Sequence, residues 1–118
     1  TPIVEMIVGI ESDPQFGYSL LLGTGGIQAE IISDTTSILI PTNKAEIIRS
    51  IKKLKLYTLM NGFRANKKVA LEILASDILK IVQLLDPKKH SFTSIEINPL
   101  FVYEKSTCAI DAVVGTRS

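Results

Sequence analysis

Cysteine occurs once, at Cys108, and histidine once, at His90. A lone cysteine excludes any disulfide within the chain, and neither residue has a companion at metal-ligand spacing. A disulfide-stapled secreted scaffold and a cysteine–histidine zinc site are therefore excluded, and a reducing, cytoplasmic setting is expected. An excess of charge of one sign is also lacking, since thirteen basic against twelve acidic residues leave a net charge of +1. No whole-molecule field draws such a chain to nucleic acid or to an anionic membrane, so any anion site must be local. No apolar run approaches the ~18 residues of a membrane span. Glu5 and Glu11 stand where a signal peptide would carry a basic stretch. Internal repeats and low-complexity segments are missing too, and neither nucleic acid nor membrane is an expected partner.

What is present is a globular composition, 46% hydrophobic and 21% charged, outside the range of disordered chains. At 118 residues the expectation is one domain spanning 1–118, able to bury roughly two thirds of its unfolded surface. The chain opens at Thr1 without methionine, from which a fragment of a larger protein is expected.

The first forty residues read as strands punctuated by glycine: Ile3 to Ile10, Gly17 to Gly23, Ile27 to Ser33 and Ser37 to Ile40. Asp13-Pro14 signals a turn, and Gly23-Thr24-Gly25-Gly26 suits a hairpin loop joining the second run to the third. After Pro41 the period changes. Ile47, Ile48, Ile51 and Leu54 form one helical stripe, and Asn43 with Glu46 has capping-box spacing. Leu71, Leu74, Ala75, Ile78, Ile81, Val82 and Leu85 predict a second, longer helix from about Lys68 to Leu85, ended by Asp86-Pro87 and covered on most of its circumference. Ser94 to Tyr103 and Cys108 to Val114 then form a closing hairpin. The fold class expected is α+β, a mainly antiparallel sheet with two helices packed on it.

Alternation along the strand Glu96-Ile97-Asn98-Pro99-Leu100 puts Glu96 and Asn98 on one face. A tight turn at Glu104-Lys105 sets Asn98 opposite Asp111, with Cβ atoms roughly 5 Å apart. Two carboxylates and an amide carbonyl suit Mg²⁺, a hard cation that completes its octahedron with water and phosphate oxygens. On spacing alone, the solvated face of an edge hairpin is the commoner setting for such residues. A one-residue slip in the turn would part Asp111 from Asn98. The glycines at 23–26 are followed by a strand-like run rather than a helix, so a hairpin turn is preferred to a phosphate cradle.

Glu96-Ile97-Asn98-Pro99-Leu100 with Ala109-Ile110-Asp111-Ala112 resembles the end of the ATP-grasp domain in ADP-forming acetyl-CoA and succinyl-CoA synthetases. Further strings follow that family's order: Glu5 to Ile10, Asp13 to Gly17, Gly23 to Glu30, then Asp34, Pro41 and Gly62-Phe63-Arg64. The resemblance implies the C-terminal lobe of an ATP-grasp domain. In it Asn98 and Asp111 hold Mg²⁺ between the phosphates of ATP or ADP, and Glu96 is a further ligand or a partner of one. It implies a phosphate-facing role for Arg64, whose alternative is an ordinary exposed arginine. Glu5 and Glu30 match family positions but equally suit structural acids.

The partners implied are an N-terminal ATP-grasp lobe and CoA-binding domains or a CoA-binding subunit, with acyl-CoA chemistry in the parent enzyme. The phosphoryl-carrying histidine is expected elsewhere, and His90 is expected to be an idle surface imidazole. The isolated chain is expected to be inactive. Departures from the family pattern, at Tyr18, Ile38, Ala65 and Ala70, keep open a second reading, a degenerate lobe with a structural or regulatory role beside, for example, a fused acetyltransferase. Another ATP-grasp ligase, joining a carboxylate to an amine or thiol, is a third, against which Asp111 argues.

Overall fold

Val4, Met6, Val8 and Ile10 alternate with Glu5, Ile7, Gly9 and Glu11, giving the first strand one aliphatic and one mixed face. The computed structural model describes residues 1–13, 17–26, 32–63, 67–85 and 92–116. Their order is β1 (Val4–Asp13), β2 (Gly17–Thr24), β3 (Thr35–Ile40), α1 (Lys44–Ile51), α2 (Tyr57–Met60), α3 (Leu71–Gln83), β4 (Phe92–Val102), β5 (Thr107–Ala109) and β6 (Ala112–Thr116). All described pairings are antiparallel. The sheet runs β3-β2-β1-β4, and β5 and β6 pair in turn with β4. This is the α+β architecture expected, with one short helix added.

The strand registers explain where the core sits. Ile38, Leu20, Ile10 and Ile95 line up across four strands, and Leu22, Val8 and Ile97 form the next row. All of these are buried, in one cluster with Ile47 and Ile51 of α1 and Leu74, Ala75, Ile78 and Val82 of α3. Burial of this aliphatic face, at roughly 25 cal/mol per Å² removed from water, is the main stabilising term. The opposite face carries Glu11, Ser19, Gly9, Glu96 and Ser37, and no described helix covers it.

Between Met6 and Val8 on β1 there is one residue, Ile7, whereas between their partners Leu100 and Ile97 there are two, Asn98 and Pro99. This is a β-bulge, with the extra residue on β4. It lets Ile95 and Ile97 on one side and Leu100 and Val102 on the other all face the core, although an unbroken alternation would not.

The cap expected at α1 is present: Glu46 N–H donates to Asn43 Oδ1 at 2.9 Å, and Asn43 Nδ2 to Glu46 Oε1 at 3.4 Å. Other expectations need correction. α3 begins at Leu71, not near Lys68, because Val69 N–H donates to Met60 O at 2.8 Å and Ala70 N–H to Glu104 O at 2.8 Å. Its outer side is more open than expected, with Ile73 and Leu84 exposed near it.

The strand placed at Ile27 to Ser33 lies mostly outside the described residues, and Ile32 and Ser33 are not in a strand. β2 pairs with β3 instead, Gly23 opposite Thr35. Thr24 N–H donates to Asp34 O at 3.0 Å, while Gly25 N–H turns back to Glu5 O on β1 at 2.9 Å. The turn at Asp86-Pro87 is also outside the described residues.

Candidate functional site

The closing hairpin keeps the register its short turn dictates. Val102 pairs with Thr107, Leu100 with Ala109 and Ile97 with Ala112, so the same count places Asn98 opposite Asp111. Tyr103 N–H closes the turn onto Ser106 O at 2.8 Å. Asn98 N–H donates to Asp111 O at 3.0 Å, and Ile110 N–H to Pro99 O at 3.1 Å. The proline at position 99 has no N–H to give, and β5 and β6 are separate strands on either side of Ile110 and Asp111.

Glu96 is exposed, flanked by Gly9 of β1 and Val113 of β6. It lines a shallow cavity of about 330 Å³ on the uncovered face, with Gly9, Glu11, Ser19, Ser37 and Ser94. Asp111, also exposed, lies two positions before Val113, another lining residue, and alternation puts both on this face. Asn98 therefore lies opposite Asp111 across the hairpin, with Glu96 two positions before it on β4. Arg64, the fourth candidate, lies outside the described residues, as do Glu30, His90 and Ala65.

One contact in this patch was not foreseen. Gly26 N–H donates to Asn98 Oδ1 at 2.7 Å, across 72 positions of sequence. A backbone N–H can only donate, so the amide oxygen, not the NH₂, must face it. The side chain is thereby held in one orientation, and the second lone pair of Oδ1 stays available to a cation. Gly26 adopts φ +72, and a Cβ there would come within 2.7 Å of Glu5 Oε1. Glu5, Gly26 and Asn98 are therefore neighbours. The glycine string is a structural clamp on the candidate ligand, a role that no local spacing in the sequence signals.

As a donor set, two carboxylates and a pre-oriented amide oxygen fit a hard divalent cation, with coordination positions left for water and phosphate oxygens. Among the described residues no three His, Cys, Asp or Glu side chains gather as a metal site, so a protein-only cage is not what this patch offers. A site completed by ligand oxygens is what two carboxylates and one amide can make.

Two of the departures from the family pattern fall away from this patch. Ile38 is buried at 8% exposure in the helix-covered core, and Ala70 is the backbone N-cap of α3.

A six-stranded antiparallel sheet with helices on one face and an acidic, amide-bearing patch on the other defines the class. The family model described as an ATP-grasp domain matches residues 2–115, and the chain belongs to the ATP-grasp family. Its relatives narrow the resemblance. It is 39% identical over 108 residues to the β subunit of ADP-forming acetate–CoA ligase I of Pyrococcus furiosus, covering 92% of this chain and 46% of that subunit. To the β subunit of ligase II from the same organism it is 34% identical over 113 residues, covering 96% of this chain and 47% of that one.

Among solved structures, it superposes on a dinucleotide-forming acetyl-coenzyme A synthetase 1 of Ca. Korarchaeum cryptofilum in complex with coenzyme A and Mg-AMPPCP. The TM-score is 0.87 at 28% identity, covering 99% of this chain and 55% of that one. The chain spans about half the length of these relatives. No helix among the described residues is long and apolar enough to cross a membrane.

Proposed function

We propose that this chain is the C-terminal lobe of an ATP-grasp domain in an ADP-forming acyl-CoA synthetase. There it helps bind Mg²⁺ with ATP or ADP for reversible phosphoryl transfer coupled to acyl-CoA formation. The observation that carries this reading is Asn98 opposite Asp111 on the uncovered face, its amide oxygen held toward Gly26 and Glu96 nearby. The complex of the Korarchaeum enzyme with Mg-AMPPCP supports the same cofactors here.

Asp111 and Glu96 supply the negative charge, and Asn98 a neutral oxygen fixed before any ligand arrives. Pre-orientation matters because phosphoryl transfer asks a protein mainly for positioning and charge neutralisation. Glu96, Asn98 and Asp111 would hold Mg²⁺, which would supply positive charge against the phosphates of the nucleotide. The cavity beside Glu96 leaves room for the ligand over Gly9, where no side chain stands. An N-terminal lobe, CoA-binding domains and the carrier histidine belong to the remainder of such an enzyme, in a cytoplasmic setting. Ile38 is buried in the helix-covered core, and Glu96, Asn98 and Asp111 are all retained, which favours an active site over a retired one.

The test is an isothermal titration of Mg·ADP and Mg·ATP into the protein at its natural full length, beside Asn98→Ala and Asp111→Ala. Binding weakened by both substitutions is the expected result. A well-folded protein that binds neither nucleotide would leave a lobe kept for its contacts alone.

A further inference from the structure

We infer that Asp34 is a positioning residue for Asn98, acting through the Thr24–Gly26 turn. The inference rests on the proposed metal role of Asn98. Asp34 is 6% exposed, and both carboxylate oxygens are occupied. Oδ1 accepts from Lys55 N–H at 2.8 Å, while Oδ2 accepts from Leu56 N–H at 3.0 Å and from Thr24 Oγ1 at 2.9 Å. Its backbone carbonyl takes Thr24 N–H as well, at 3.0 Å. A buried carboxylate with three donors is stable where a bare one is not. Asp34 thus ties the end of β2 to the turn between α1 and α2.

The tie is transmitted because the residues after Thr24 have no slack. Gly25 N–H is bonded to Glu5 O, and a Cβ at Gly25 would collide with the Met6 backbone. Gly26, left-handed and pressed against Glu5, then delivers its N–H to Asn98 Oδ1. From helical layer to open face the order of contact is Leu56 and Lys55, Asp34, Thr24, Gly25, Gly26, Asn98. Loss of the Thr24 hydroxyl leaves Thr24 N–H on Asp34 O and Gly25 N–H on Glu5 O but removes the link between the turn and the Asp34 carboxylate, so the Gly26 N–H that orients the Asn98 amide shifts.

Thr24→Val is the informative variant, because Asp34 keeps its two backbone donors and the volume of the side chain is conserved. In the full-length protein, the expected result is Mg·ADP binding weakened about 10-fold, the lower end for groups that orient a metal ligand. A displaced Gly26 amide cross-peak in a glycine-labelled ¹H–¹⁵N spectrum should accompany it. Thr24→Ser should restore both. In an Asn98→Ala background Thr24→Val should cost nothing more, since the two act in one line. Additive losses, or an unmoved Gly26 resonance, would overturn the inference while leaving the metal reading intact. An Asn98→Ala protein that binds Mg·ADP as the parent does would overturn both.

Discussion

The two faces of the sheet are built from the same strands, residue by alternate residue, yet they carry opposite kinds of chemistry. On β1 the inward positions are Val4, Met6, Val8 and Ile10, and every one is buried; the outward ones include Glu5, Gly9 and Glu11. The inward face is close-packed aliphatic surface, where a lost methylene leaves a cavity. The outward face gives up packing for carboxylates, hydroxyls and a glycine in mid-strand, residues that stabilise little. The division assigns stability to one face and ligand chemistry to the other, and it can be tested by substituting across it.

The largest effect on stability is expected from Ile10→Ala, which should cost about 3 kcal/mol in urea denaturation, as for other buried aliphatic truncations. Nucleotide affinity of the folded fraction should be unchanged. Asp111→Ala should do the reverse, weakening Mg·ADP more than ~10-fold by calorimetry while shifting stability by no more than about 0.5 kcal/mol. If Asp111→Ala unfolded the protein instead, the open face would be structural and the division would collapse. Asn98→Ala sits between them. It should weaken binding similarly and also cost about 1 kcal/mol, because Gly26 N–H loses its acceptor.

Gly9→Ala should have the smallest effect and draws the boundary most finely. The added Cβ would lie 3.7 Å from Leu21 Cβ and 3.9 Å from Ile95 O, ordinary contacts, so stability should hold or rise slightly. The methyl would enter the cavity beside Glu96, and a loss of affinity of a few-fold, read by the same titration, would assign that cavity to the ligand. Unaltered affinity would confine the site to the Asn98–Asp111 end.

Much of the covered face was legible in the sequence because its signals are local. The two-residue period of β1, the Asn43 cap and the 3–4 spacing from Leu71 to Val82 each need only a short window. The pairing of Asn98 with Asp111 was legible for the same reason, a tight turn acting over a few residues. What could not be read depends on distant partners. Asp34 meets Lys55 and Leu56, and Gly26 meets Asn98, through contacts that no propensity encodes. β3 was also started late, at Ser37 rather than Thr35. The start of α3 was placed too early because Val69 and Ala70, which precede it, are held by distant carbonyls, Met60 O and Glu104 O.

The bulge in β4 has the topology of a dislocation in a crystal: one extra residue inserted into one row, with perfect order on either side. Deleting Asn98 or Pro99 would regularise the ladder with β1 and keep Leu100 and Val102 inward, but it would move the fault to the other side of β4, where Leu100 pairs with Ala109 and Ile97 with Ala112 with no residue to spare. To migrate, the fault would have to break and remake the ladder bonds one after another to the strand's end, turning out either Leu100 and Val102 or Ile95 and Ile97 on the way. The position of Asn98 along the strand is thus pinned by the core beneath it, and single-residue deletions here should be selected against even where each substitution is tolerated.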